Sequence, residues 1–239
     1  MILAAEGISK SFGALLVLDH VHFGVGANEA VGIVGPNGAG KTTLLSVLSG
    51  AHAPSAGTVR FRGADVTAAE AAERCRLGVA RSHQVPRPFG GMTVFENVLV
   101  AATAGAGKRG AQAYERSLDS LELCRMLKVA NRRAETLGLL DRKRLELARA
   151  LATDPVVLLL DEIGGGLTDA EASELVEAIL KLRERGIAIV WIEHIVHVLL
   201  QVVTRLVCMD SGRVIADGEP AAVMADTTVI DAYLGQAAA

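Results

Sequence analysis

The run Gly35-Pro36-Asn37-Gly38-Ala39-Gly40-Lys41-Thr42 constrains the fold of this chain more than any other segment. It fits G-x-x-x-x-G-K-[ST] at every fixed position, with the short apolar stretch Ala30 to Val34 before it and the helix-like Thr42 to Leu48 after it. Glycines let consecutive backbone N–H groups converge on one anion, and the first turn of the following helix adds positive potential. Lys41 can then reach the outer phosphates of a nucleotide, and the Thr42 hydroxyl is suited to Mg²⁺. Strand, glycine-rich loop and helix in that order imply an α/β architecture built around a phosphate site.

A second segment belongs to the same chemistry. Val156-Val157-Leu158-Leu159-Leu160-Asp161-Glu162 places two carboxylates at the end of a buried strand. Asp161 is suited to holding Mg²⁺ through water, and Glu162 to polarising an attacking water. The guanine-reading segment Asn-Lys-x-Asp is absent, which argues against a GTPase.

Composition narrows the setting. With 239 residues, 51% of them hydrophobic, the chain can bury one large α/β core. Its apolar runs are nonetheless short. A bilayer span needs about 18 unbroken apolar residues, whereas Glu193, His194, His197 and Gln201 interrupt the stretch after Ile187 to Ile192. Met1 to Ala5 meets Glu6 and Gly7 at once, unlike a secretory signal, so a cytoplasmic chain is expected. A net charge of −3 gives no electrostatic footprint for nucleic acid, and none is expected as a partner. Arg142, Lys143, Arg144 and Arg149 read as a solvated helix face. Cys75, Cys124 and Cys208 are odd in number and lack metal-ligand spacing, so they read as reduced thiols.

Val21, Phe23 and Val25 alternate with polar or small neighbours, as do Val59 and Phe61, which predicts half-buried antiparallel strands. Ala30 to Val34, Val156 to Leu160 and Ile187 to Ile192 read as buried parallel strands, Trp191 being core. Capping boxes predict helix starts at Thr67 with Glu70, Thr93 with Glu96 and Thr168 with Glu171. Residues 85–154 show no strand pattern and read as helical, with Tyr114, Leu118, Leu121, Cys124 and Leu127 on one face. The Ala/Gly-rich stretch 101–110 reads as a flexible connection, and Gln236 to Ala239 as a fraying end. The expected organisation is a single domain over 1–239, with a core of 1–84 and 155–239 and a helical subdomain of about 85–154.

The whole motif order, beginning with the GPNGAGKTT form that includes Asn37, Ala39 and Thr43, resembles the ABC ATPases. That resemblance covers essentially the full chain. It implies a P-loop NTPase (RecA-like) core with an antiparallel β subdomain and an inserted α-helical subdomain, binding ATP and Mg²⁺. By the same resemblance, Gly35 to Thr43 hold phosphate, Phe12 stacks on adenine and Val17 lies beside it. Gln84 touches Mg²⁺ and the γ-phosphate side while opening the segment that docks on membrane subunits, where Val94, Phe95, Val98 and Leu99 are expected to line a groove. His194 contacts the γ-phosphate, and His197 reads as a helix-face residue.

One segment departs from the family. Where Leu-Ser-Gly-Gly-Gln is usual, this chain has Leu137-Gly138-Leu139-Leu140-Asp141. The serine hydroxyl is missing, Leu140 adds bulk, and Asp141 adds charge of the wrong sign for phosphate. Ile163 replaces a proline, and Thr168 stands where an Asp or Asn crosses the dimer interface. An intact P-loop beside a degenerate signature favours a heterodimer with a second ATPase subunit over a homodimer. Arg81 to Arg87, Met92 to Val98, Arg144 to Pro155 and Val229 to Gly235 resemble the importers of branched-chain and other hydrophobic amino acids. This implies membrane-spanning permease subunits as partners, a periplasmic solute-binding protein indirectly, and a peripheral place on the inner membrane face. A catalytically weak regulatory subunit and a soluble non-transport ABC ATPase are the alternatives.

Overall fold

The computed structural model describes residues 1–234; the expected fraying of Gln236 to Ala239 lies outside them. Strands β1 (Leu3–Phe12) and β2 (Leu15–Val25) form an antiparallel hairpin, and β3 (Ala30–Val34) leads into α1 (Lys41–Leu48). Then come β4 (Ala56–Phe61), β5 (Ala64–Asp65), α2 (Ala71–Leu77) and β6 (Val79–Arg81). Helices α3 (Val94–Val100), α4 (Ala111–Leu123) and α5 (Leu139–Ala152) follow, with no strand between β6 and the next one, β7 (Val157–Asp161), among the described residues. The chain continues through α6 (Asp169–Glu184), β8 (Ala188–Ile192), α7 (Val196–Leu199), β9 (Arg205–Asp210), β10 (Arg213–Gly218), α8 (Pro220–Met224) and α9 (Thr227–Leu234).

Two sheets result: a four-stranded antiparallel one in the order β2-β1-β4-β5, and a six-stranded one in the order β10-β9-β3-β8-β7-β6. The latter is parallel except at β10. Every residue of β3, β7 and β8 is buried, which explains why these strands read as unbroken apolar runs rather than as alternation. Their faces are still distinct. Val157, Leu159, Val190 and Ile192 join the core shared by α1 and the antiparallel sheet, while Leu158, Leu160, Ile189 and Trp191 join the core shared with the helical segment.

Helix α1, which carries the phosphate loop at its start, is braced at its other end by a buried guanidinium. Arg74 of α2 donates to Val47 O (2.6 Å) and Leu48 O (3.0 Å) in the last turn, and also to Thr67 O and Ala69 O. These bonds satisfy carbonyls that the helix end leaves orphaned, and they compensate the burial of a charge, which still pulls the Arg74 pKa down.

Several local expectations are corrected. The boxes at Thr93 and Thr168 form, but Thr67 does not cap a helix. Its hydroxyl donates to Asp65 Oδ1 (2.6 Å) and accepts from Val59 N–H, and α2, capped by Glu70, starts only at Ala71. A local Asp turn outcompetes the cap. On α4 the buried residues are Ala113, Ser117, Ser120 and Leu121, whereas Tyr114 and Leu118 are exposed. Ser117 and Ser120 can be buried because each hydroxyl donates to a carbonyl of its own helix, at 2.7 and 2.8 Å. The start of the 101–110 connection is ordered as a π-helical turn, Ala101–Gly105. Its small residues serve close packing, since a Cβ on Gly105 would lie 2.6 Å from Thr153 Cγ2.

Candidate active site

Two glycines fix the loop between β3 and α1. Gly35 has φ 139°, and a Cβ there would lie 2.0 Å from Met209 O. Gly40 has φ 97°, and a Cβ would meet Leu18 Cδ2 at 2.8 Å and Val17 O at 2.9 Å. No L side chain fits either position. Gly40 caps α1 with no side-chain cap bond and no acidic residue in the first turn, so neither the cap nor a first-turn carboxylate offsets the positive end of the helix. Lys41 is buried, and its Nζ donates to Gly35 O (2.7 Å) and Pro36 O (2.8 Å). Burial pulls its pKa down, with the Glu162 charge opposing. A cavity of about 190 Å³ opens over the loop, lined by Val17, Asn37 to Thr43 and Glu162. A desolvated ammonium beside the cavity over a glycine-rich loop fits a polyphosphate.

Strand parity brings the next group in. Asp161 shares the face of Val157 and Leu159, which looks toward α1, and Arg81 shares the corresponding face of β6 with Val79. Asp161, 1% exposed, takes Arg81 Nη2 on Oδ2 at 2.7 Å and the Thr42 hydroxyl on Oδ1 at 3.3 Å. Arg81 Nη1 also donates to Ser46 Oγ at 2.9 Å, one turn along α1 from Thr42. The ion pair keeps a buried carboxylate compensated and leaves the Oδ1 side turned toward Thr42.

Glu162 leaves the strand conformation with φ 48°, an uncommon value for a non-glycine residue, while its N–H still donates to Ile192 O at 2.9 Å. Its carboxylate accepts from Gln84 Nε2 and lies 2.7 Å from His194 Nε2. The imidazole must carry its proton on Nε2 to donate there. Gln84, Glu162 and His194 thus come from three separate segments to one point at the rim of the phosphate loop. Phe12, 45% exposed, is outside the cavity lining; its ring meets His52 edge-on at 5.3 Å and Lys10 Nζ at 4.9 Å.

The sequence pattern of the ABC transporter family matches residues 18–164. The chain belongs to the ABC transporter family, as an ATPase subunit. A second pattern, that of the branched-chain amino acid ATP-binding cassette transporter, matches residues 213–239. The cassette is 35% identical to the high-affinity branched-chain amino acid transport ATP-binding protein LivG of Salmonella typhimurium, over 99% of this chain and 98% of that one. It is 36% identical to BraF, described in the same terms, of Pseudomonas aeruginosa, again over 99% and 98%. The solved ADP conformation of an ATP-binding cassette of an ABC transporter superposes with a TM-score of 0.88 at 32% identity, covering 98% of both chains. No helix among the described residues is long and apolar enough to cross a membrane.

In this cassette the divergent segment Gly138-Leu139-Leu140-Asp141 opens α5, with Gly138 as a cap lacking any side-chain bond. Leu139 is exposed, and Asp141 occupies the first turn 3.6 Å from Arg144 Nη1. The basic residues that follow are not a solvated face. Arg142 donates to Leu137 O and Glu135 O, Arg144 pairs with Glu174, and Arg149 pairs with Glu146 at 2.8 Å. Lys143 is buried and donates to Gly165 O, its pKa drawn down by burial. Gly164 N–H in turn donates to buried Glu193 at 3.0 Å, whose pKa burial raises. A line of contacts therefore joins α5 to the residue beside His194. Ile163 is buried, and Thr168 is occupied as the cap of α6.

Arg81 and Glu193 carry no site role in the sequence reading, and Lys143 reads there only as part of a solvated helix face. Lys143 had one usable signal, its place four residues before buried Leu147 on the same helix face. Arg81 requires recognising a three-residue strand, which periodicity cannot do.

Proposed function

We propose that this cassette powers uptake of branched-chain amino acids or related small hydrophobic solutes from the cytoplasmic face of a membrane-spanning permease. The cargo rests on the relatives' names and on the C-terminal pattern; a periplasmic solute-binding protein would choose it. The observation that carries the catalytic reading is the Glu162 carboxylate held between Gln84 and His194 at the mouth of the phosphate cavity.

Lys41 leaves its loop carbonyls for the phosphates of ATP, and the first-turn amides of α1 hold the same anion. Glu162 takes the proton side of the attacking water, while Gln84 and His194 fix that carboxylate and face the γ-phosphate. Thr42, Asp161 and, at the rim, Gln84 are oxygen donors of the hard type that Mg²⁺ prefers. Bound there, Mg²⁺ would neutralise phosphate charge. This chemistry asks for positioning and charge rather than covalent steps. Phe12, exposed on its hairpin, offers the face for adenine, with Val17 beside it.

The cavity is smaller than the roughly 300 Å³ at the low end of ligand pockets, as suits a half-site completed by a second subunit. A larger cavity, about 330 Å³, lies between the α1–α2 region and α5, lined by Ser49, Cys75, His83, Ala101 and Arg149 among others. It is the groove in which a short cytoplasmic helix of the permease would seat. Val94, Phe95, Val98 and Leu99 do not line it; Val94 and Val98 are fully buried core. The divergent α5 start favours a second ATPase subunit of different sequence. Complete phosphate-loop residues argue against a catalytically silent subunit.

Glu162→Gln should leave ATP binding intact and lower steady-state phosphate release by the assembled transporter by about 10²-fold or more, the range for a positioned base. Turnover near wild type would remove Glu162 from this role.

A further inference from the structure

We infer that Tyr233, on the last helix, positions the phosphate-binding loop by holding the Gly35 amide. The Tyr233 hydroxyl accepts the Gly35 N–H at 2.7 Å, across 198 residues of sequence. Gly35 follows Val34, the last residue of β3 in register with β9, where it pairs with Cys208. At Gly35, one residue past the last β3–β9 pair, the backbone turns to φ 139°, and a Cβ there would lie 2.0 Å from Met209 O. Its N–H needs an acceptor from elsewhere, because a backbone donor at a sheet end rarely goes unmatched. Tyr233 supplies one. Burial raises the pKa of the phenol, which keeps it neutral and protonated.

The other side of the same residue is equally held: the Gly35 carbonyl accepts from Lys41 Nζ at 2.7 Å. Gly35 is thus clamped by its N–H to α9 and by its C=O to the lysine that nucleotide must recruit. When Lys41 turns to phosphate, the Tyr233 bond is the remaining side-chain tether on that residue. Helix α9 is itself anchored, since Val229 is 1% exposed in the core shared with the helical segment. It lies within the C-terminal stretch 213–239 that matches the branched-chain cassette pattern. Its work in this cassette is to keep the hinge of the loop in the one geometry that converges the amides on an anion. Preorganisation of that kind shows in affinity, because an untethered loop must be ordered at the moment of binding.

The proposal rests on the assignment of residues 35–43 to nucleotide, and the test separates the two. Equilibrium binding of ADP to the full chain is measured for wild type, Lys41→Ala and Tyr233→Phe, with kcat and KM for ATP in the assembled transporter. Collapse of binding in Lys41→Ala secures the loop assignment independently. Tyr233→Phe keeps the ring and its packing and removes only the hydroxyl. Its Kd and KM should rise about threefold to tenfold, the usual net effect of one hydrogen bond, with kcat within about twofold by the same measure. Amide exchange in the peptide spanning Gly35 to Lys41 should quicken while that of β7 and β8 stays unchanged. Unchanged affinity and exchange, or tighter binding in Tyr233→Phe, would overturn the inference; so would a fall in kcat without a change in KM.

Discussion

Helices α1 and α5 both begin at a glycine cap, and their first turns are built in opposite ways. Helix α1 starts from Gly40 with no acidic residue in its first turn, a lysine at its first position and a cavity above it. Helix α5 starts from Gly138, but Asp141 sits in its first turn and already takes up the favourable end of the helix dipole. The first is prepared for an outside anion, whereas the second carries its own. Buried partners brace α1, through Arg74 at its end and the Arg81–Asp161 pair beside it. The start of α5 carries the Asp141–Arg144–Glu174 contacts, whose carboxylates are 30% and 42% exposed, beside the Arg142 bonds to Leu137 O and Glu135 O and the buried Lys143 bond to Gly165 O. Exposed pairs of that kind contribute little. On the proposed reading, the catalytic residues of this cassette gather on the α1 side rather than at the start of α5.

The largest effect should come from the α1 side. Lys41→Ala removes the one buried cation of the loop and should weaken ATP binding by about 10²-fold or more, the loss expected for charge-assisted bonds to phosphate. A fluorescent ATP analogue would report it, and unchanged affinity would break the contrast at its stronger end. Repair of the α5 side should be smaller. Gly138 has extended backbone and an open site for a Cβ, so serine fits without strain and is a better cap than glycine. Gly138→Ser should raise turnover at the partner's phosphate loop by about tenfold to a hundredfold, the equivalent of roughly 1.5–3 kcal/mol for a bond to a charged group. Asp141→Gln alone should add about twofold to fivefold, the scale of one charge at a helix start. A repaired cassette with unaltered turnover would show that this face does not limit the cycle.

How much of this could be read in advance depended on the range of the interaction. Gly35, Lys41, Thr42, Asp161 and Glu162 are fixed by short spacings and neighbouring strand or helix patterns, so sequence alone reached them. Gln84 and His194 were reached only through family resemblance, since nothing local distinguishes them from surface residues. Arg81, Lys143, Glu193 and Tyr233 depend on contacts between distant segments, the last across 198 residues. Misreadings had a common cause too: a polar residue can satisfy itself locally. Ser117 and Ser120 bond to their own helix and so replaced Tyr114 and Leu118 on the buried face of α4. Thr67 bonds to Asp65 and so starts no helix.

The most direct test of the one-sided arrangement compares single substitutions in an assembled transporter containing this cassette and its partner ATPase. On the proposed reading, Glu162→Gln here would disable the site built on a complete phosphate loop and the partner's signature. The equivalent change in the partner would disable the site proposed to use Gly138 to Asp141. Transport and phosphate release should fall by about 10²-fold in the first case, the loss of a positioned base, and by no more than about twofold in the second, by the same kinetic measure. Equal losses from the two substitutions, or brisk ATP turnover by a homodimer of this chain alone, would contradict the account.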